Sequence, residues 1–161
     1  MKTIYFIRHA KSSWESESGD HNRPLSPRGF IDADLIGKSL LEKNIFLDAI
    51  YSSSANRAET TARIVCENMG IPLSKIILKN ELYNFDASDI LKQIKEFDNE
   101  LNAVMIFGHN TAFTSLVNNL GSDIFFNLPT CGVVSITFDI NKWTEICKGQ
   151  TNFSLLPKDL R

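Results

Sequence analysis

The sequence predicts a three-layer α/β/α fold around a mostly parallel central sheet. Short β-branched and aromatic runs alternate with stretches of helical period along the chain, which is the pattern of an α/β layered fold. The run at residues 3–8 is nearly continuous in apolar residues, as in strands covered on both faces. The size agrees: 161 residues, 43% hydrophobic and 22% charged, fit one domain spanning 1–161. Such a chain can bury a core without disulfides or a structural metal.

Residues 3–8 read as the first strand. Residues 11–27 are polar, with two prolines and a glycine, and read as a long loop of the functional or mobile kind. Ser26 suits a helix N-cap and Pro27 the first turn that follows. Ile31, Leu35, Ile36, Leu40 and Leu41 then carry a helical stripe to about residue 43. Residues 47–52 read as a second strand. A helix is predicted from Ala58 to about Met69, closed by Gly70, and Pro72 stops it from resuming. Residues 74–78 read as a third strand. Ser88 is expected to N-cap a helix running to about Phe97, with Ile90, Leu91, Ile94 and Phe97 on one face. Residues 102–107 form the most strand-like run, ending in Gly108-His109-Asn110-Thr111. A helix follows from Ala112 to Leu120, with Gly121 at its end. Residues 133–138 are the last clear strand, and 153–156 are expected to pair at an edge. Phe125 and Phe126, with Ile124 and Leu128, are expected to pack in the core.

Seventeen Lys and Arg against nineteen Asp and Glu give a formal charge of −2. That balance excludes a broad cationic footprint for nucleic acid. No run approaches the 18 or so apolar residues of a membrane span. The N-terminal apolar run is too short for a signal-peptide core, so a cytoplasmic location without a membrane partner is expected. Cys66, Cys131 and Cys147 make neither a CxxC pair nor an even framework and read as buried free thiols. His9, His21 and His109 lack the spacing of a metal site, and no metal or other cofactor is expected.

In parallel sheets, ligands sit outside the carboxyl ends of the strands. Arg8 and His9 follow the first strand, Arg57 opens a helix after the second, and His109 follows the fourth. Two imidazoles and two guanidiniums converging on one place suit a phosphoryl group, whose oxygens match the planar arginine fork. Phosphoryl transfer is mostly positioning and charge stabilisation. A neutral histidine can attack phosphorus while a protonated one stabilises the transferring oxygens. The helix N-terminus just after His109 would add backbone donors. Around this set, Ser12, His21, Arg23 and Asn110 are candidates for substrate contact. Lys11 would add positive field, and Trp14 would wall the site or anchor the loop.

These residues resemble a known family. Phe6-Ile7-Arg8-His9-Ala10-Lys11-Ser12-Ser13-Trp14 is similar to the Arg-His-Gly signature of the histidine phosphatase superfamily, which includes the cofactor-dependent phosphoglycerate mutases. The resemblance continues through residues 23–29, 52–62 and 81–83, then Gly108-His109-Asn110 and the terminal Leu156-Pro157-Lys158-Asp159-Leu160, in order and over nearly the whole chain. The first and last of these blocks together most resemble the short, SixA-type phosphohistidine-phosphatase branch. The resemblance implies a phosphoglycerate mutase-like fold, His9 as nucleophile, and a phosphate pocket of Arg8, Arg57 and His109 that needs no metal. Ala10 stands where the signature's Gly usually lies, a change that the short branch shares.

A second departure bears on the substrate. Asn84 stands where the mutases and many family phosphatases place a Glu proton donor, and an amide cannot supply that proton. Glu81 and Asp86 flank it out of register as candidate acids. An alkoxide leaving group, with a conjugate-acid pKa of about 15.7, needs a proton in the transition state. A positioned acid is typically worth about 10²–10⁴-fold. Imidazole leaves more easily, since imidazolium has a pKa of about 6.5. A site without a strong acid should therefore favour phosphoramidates or activated phosphate esters. Together with the resemblance, this makes the expected function a metal-independent phosphatase with a phosphohistidine intermediate, acting on phosphohistidine of a phosphorylated protein. The alternatives are a broad phosphomonoesterase for small phosphorylated substrates, a mutase, or a non-catalytic phosphoprotein-binding module. The mutase would require an enclosure that this short chain has no obvious insertion to build.

Overall fold

Successive residues of the first strand bury into opposite layers. Ile4 and Phe6 join Val104, Ile106, Val134 and Ile136 in one core cluster with Ile90, Ile94, Phe113 and Val117. Ile7 joins Met105, Phe107 and Val133 in a second, with Ala33, Ile36, Leu40, Ala62 and Val65. Strands apolar on both faces must be covered on both, which produces the three layers.

The computed structural model describes residues 1–15 and 17–161. Among the described residues, one sheet holds six strands: β1 (Lys2–Arg8), β2 (Ala49–Ser53), β3 (Ile76–Lys79), β4 (Ala103–Gly108), β5 (Val133–Phe138) and β6 (Gln150–Leu155). Their order is β3-β2-β4-β1-β5-β6. The first four in that order run parallel; β5 is antiparallel to β1, and β6 to β5. The helices are α1 (Pro27–Glu42), α2 (Asn56–Asn68), α3 (Ala87–Lys95), α4 (Ala112–Leu120) and the short α5 (Pro157–Leu160). The α/β class and the mostly parallel sheet match expectation. No helix among the described residues is long and apolar enough to cross a membrane.

Local chemistry explains where the elements begin. The Ser26 hydroxyl accepts from the Gly29 amide at 3.2 Å, and Pro27 opens α1. The Lys11 carbonyl accepts from the Ser26 amide and hydroxyl at 2.8 and 3.1 Å, which ties the start of α1 to Lys11, the second residue after His9. Gly70, at φ +72°, follows the end of α2 in the left-handed region.

Several boundaries and placements differ from the sequence reading. Asp86, not Ser88, caps α3: its carboxylate accepts from the Ser88 amide at 2.8 Å and hydroxyl at 2.6 Å. An anion there also complements the helix dipole. Leu73–Lys75 form a 3₁₀ turn, so β3 starts only at Ile76. The start of α2 lies two residues earlier than expected, β6 begins at Gln150, and α5 follows Leu156. Cys66 and Cys131 are buried, but Cys147 is exposed. Leu128 is buried and Phe125 half-buried against the core, whereas Ile124 and Phe126 are exposed. Asn118 clasps the Phe125 backbone at both its amide (2.8 Å) and carbonyl (2.7 Å), turning Phe125 inward and its two neighbours outward.

Candidate active site

Strand register assembles the site. β1 and β4 pair with Arg8 opposite Gly108, so His9 and His109 leave adjacent strand ends side by side. Their ring centroids lie 5.2 Å apart. β2 pairs with β4 at Ser52 and Phe107, which brings Ser53 beside His109. The Ser53 hydroxyl lies 2.8 Å from His109 Nε2 and accepts from the Ala55 amide. Helix α2 begins immediately afterwards and carries Arg57. Thr61, one turn on, donates to the Arg57 carbonyl (2.7 Å) and accepts from the Ala10 amide (2.9 Å), fixing α2 to the segment that carries His9.

A cavity of about 430 Å³ opens here, lined by Arg8, His9, Arg23 and Arg57 together with Lys11, Ser12, Trp14, Asp20, Phe85, Asn110 and Thr130. Each arginine is moored through Nη1: Arg8 to the Leu128 carbonyl at 2.9 Å, Arg23 to the Ser12 hydroxyl at 2.6 Å, and Arg57 to the Asp20 carbonyl at 2.7 Å. Four buried side-chain nitrogens lack a partner among the described residues: Nε of Arg8, Arg23 and Arg57, and Nδ1 of His109. Orphaned buried donors are costly, and a cluster of them marks a ligand position. An oxyanion in the cavity suits the three arginines that line it; His109 is not among the lining residues and lies beside His9.

The two histidines are neutral in the ligand-free pocket. Burial, reinforced by Arg57, Arg8 and Arg23, pushes His9 down to about 3 against a smaller opposing effect of its bond to Ala10. Burial, then the proximity of His9 and Arg57, also pushes His109 down to about 3. The expectation of one protonated imidazole is not met in this state; the positive charge resides on the guanidiniums. His9 Nδ1 lies 2.7 Å from the Ala10 carbonyl, so that nitrogen carries the proton and Nε2 keeps its lone pair. Ser53, already accepting from Ala55, is free to donate to His109 Nε2. That leaves the His109 proton on the orphaned Nδ1.

The other predicted residues divide. Ser12, Lys11, Trp14 and Asn110 line the cavity. Arg23 is buried, with its guanidinium carbon 3.6 Å from the centroid of the exposed Trp14 ring, so Trp14 both walls the site and holds the loop. His21 is not among the lining residues; it lies 3.0 Å from the Ser54 hydroxyl and edge-on to Tyr83. The Asn110 amide is committed to bracing: its oxygen accepts from the Thr114 amide and hydroxyl, and its nitrogen donates to the Asn127 side chain and the Leu128 carbonyl. The first-turn amides of Phe113 and Thr114 are taken by the His109 carbonyl and the Asn110 side chain, so they do not serve as anion donors.

Neither candidate acid lines the cavity. Asp86 caps α3, and Glu81 is exposed on the 3₁₀ turn Asn80–Leu82. Asn84 turns its side chain toward Asp89 and the Asp86 amide. The carboxylate in the cavity is Asp20, which the sequence did not single out. It takes Arg57 Nη2 at 3.2 Å, the Tyr83 hydroxyl, and Arg23 Nη2 at 3.5 Å. The Tyr83 bond first, with Arg57 and Arg23, holds it below the usual carboxylate range. Ser53, Thr61 and Tyr83 fall within the segments of resemblance but carried no assigned role there, and Phe85 falls outside them. Among the described residues no group of His, Cys, Asp or Glu is gathered to hold a metal ion.

Comparison with known proteins places the chain in a family. A family model described as the histidine phosphatase superfamily, branch 1, matches residues 4–89, and the chain belongs to that superfamily. It is 29% identical over 116 residues to an uncharacterised protein of Mycobacterium tuberculosis, covering 72% of this chain and 70% of that one. Among solved structures, the protein histidine phosphatase SixA complexed with tungstate aligns at a TM-score of 0.84 and 22% identity, over 99% of both chains. A protein of Agrobacterium tumefaciens, provisionally named phosphohistidine phosphatase SixA, aligns at 0.80 and 26% identity, over 97% of this chain and 98% of that one.

Proposed function

We propose that this chain acts as one domain, a phosphatase in which His9 is the nucleophile and phosphohistidine on a protein is the substrate. The observation that carries the reading is that Arg8, Arg23 and Arg57, each with an orphaned Nε, line one cavity with a neutral His9, whose ring lies 5.2 Å from that of His109. The phosphoryl oxygens take those donors, and the fixed guanidiniums stabilise charge in transfer without rearranging. His9 Nε2 attacks phosphorus, and the bond from phosphorus to the leaving group breaks as the N–P bond forms. Nδ1–H stays on the Ala10 carbonyl, which keeps the ring oriented and stabilises the positive charge the imidazole acquires. Water then attacks phosphorus, the N–P bond breaks, and inorganic phosphate departs. The chain's own cations supply the charge stabilisation, so the reaction requires no metal.

Two features support phosphohistidine as the substrate. Glu81 and Asp86 lie outside the cavity and Asp20 is held ionised, so the resting site offers a leaving group no carboxylic acid. Leaving groups of low basicity, imidazole among them, are then favoured. The cavity is also rimmed by the exposed Trp14 and Phe85, which lets a phosphorylated side chain on another protein's surface reach it. A side-by-side assay on a phosphohistidine protein, an aryl phosphate and an alkyl phosphate tests this reading. The first two turn over well and the alkyl phosphate poorly, with no loss on chelation. Equal turnover of all three would make a broad phosphomonoesterase the better reading.

A further inference from the structure

The Asp20 carboxylate lines the cavity and holds Arg57. Arg57 spends Nη1 on the Asp20 carbonyl, which leaves its Nε–Nη2 edge as the planar fork that matches a phosphate. Nε has no partner, and Nη2 is held by the Asp20 carboxylate at 3.2 Å. A further contact of that carboxylate, to Arg23 at 3.5 Å, falls on another arginine whose Nε is orphaned. An internal anion thus occupies half of the fork in the resting pocket.

Building on the phosphatase reading above, we propose that Asp20 is a built-in competitor for the phosphoryl site. It releases Arg57 Nη2 to the incoming phosphoryl group and returns to it to displace inorganic phosphate after hydrolysis.

The mobility of the two partners is unequal in the direction this requires. The Arg57 side chain is 2% exposed and moored at its carbonyl contact, whereas the Asp20 side chain is 48% exposed. Asp20 can therefore swing into water without losing much solvation, while the guanidinium stays in place. The Arg57 contact to the Asp20 backbone carbonyl survives that swing, so the exchange needs only a side-chain rotation. The Tyr83 hydroxyl gives the returning carboxylate a fixed seat beside Arg57. A pocket with three buried or half-buried arginines would otherwise retain its product, because phosphate is itself a good ligand for such forks. Both direct competition and like-charge repulsion from Asp20 weaken that retention.

The test is calorimetric binding of inorganic phosphate to the wild-type chain and to Asp20→Asn, Asp20→Ala and Tyr83→Phe, with rapid-quench phosphoenzyme formation on 4-nitrophenyl phosphate and phenyl phosphate. The two Asp20 variants are expected to bind phosphate at least about 10-fold more tightly, the least that removing a like charge at close range should give. Tyr83→Phe, which keeps the carboxylate but unseats it, should shift affinity the same way by less. Phosphoenzyme formation persists while steady-state turnover falls and product inhibition strengthens. Unchanged or weaker phosphate binding in both Asp20 variants would overturn the proposal. So would a loss of phosphoenzyme formation that grows from 4-nitrophenyl to phenyl phosphate, which would make Asp20 a proton donor. Phosphate binding needs no turnover, so it remains readable even if the wild-type chain forms no phosphoenzyme and the phosphatase reading itself fails.

Discussion

His9 and His109 face one another with ring centroids 5.2 Å apart, and both are held neutral, each down to about 3. The unfolded chain takes up protons on both rings below about 6.5, while the folded chain resists until far lower. Stability contributed by these groups is therefore present above about pH 6.5 and is lost as pH falls toward 3. Each ring adds a slope of up to about 1.4 kcal/mol per pH unit in that window. Thermal melts between pH 7 and 4.5, above the range where most carboxylates titrate, should show this slope. It should flatten in His9→Asn and His109→Asn, and saturating phosphate should counter it. A melt independent of pH across that window would contradict the neutral pair.

Ser53 governs the His109 tautomer. Ser53→Ala removes the hydroxyl that faces Nε2 and frees the proton to move there, away from the phosphoryl oxygens. It also leaves the Ala55 amide without its acceptor. We expect kcat to fall about 10-fold and stability to drop by about 1–3 kcal/mol, the cost of unsatisfied buried groups. Ser53→Thr keeps the hydroxyl and should restore most of the activity. Steady-state kinetics alongside denaturant melts separate the two effects.

Arg8 and Arg57 act through planar geometry as much as through charge. Lysine at either position keeps the charge but loses the Nε–Nη2 fork and the Nη1 mooring to a carbonyl. Arg57→Lys and Arg8→Lys should each lower kcat/KM by about 10²-fold or more, as removal of a transition-state donor does. A tenfold or smaller loss would show that a point charge suffices.

Gly29 sits at a close approach between α1 and the site loop. A Cβ there would come within 2.1 Å of the Lys11 carbonyl oxygen, which also anchors Ser26. Gly29→Ala should displace Lys11 and Ser12 and lower kcat/KM about 10-fold or more, since small displacements of positioning groups are costly. Gly70→Ala meets no neighbouring atom, though its φ of +72° carries backbone strain, and so serves as the control that loses stability without a matching loss of kcat/KM.

Much of this was legible in the sequence because strand ends are legible. The apolar runs ending at Arg8 and Phe107 placed His9 and His109 at the carboxyl edge of a parallel sheet, and the adjacency of β1 and β4 then brings them together. The α3 cap was misread because Ser88 and Asp86 are both good caps, and only the structure shows which oxygen reaches the first turn. Asp20 escaped because its role depends on a loop conformation that no periodicity encodes. Nothing local in residues 17–23 says that the chain folds back to Arg57, 37 positions on. Nor does adjacency to His109 reveal that the Asn110 amide, at the cavity wall, is already engaged with Thr114, Asn127 and Leu128.

The measurement that bears most directly on the account is the trapping of a phosphoenzyme. The wild-type chain, quenched in alkali milliseconds after mixing with an aryl phosphate, should carry one acid-labile phosphoryl group, mapped by mass spectrometry to His9. His9→Ala should carry none, remain folded, and still bind phosphate through Arg8, Arg57 and His109. A wild-type chain that turns over without labelling, or a His9→Ala variant that keeps full activity, would contradict the central claim.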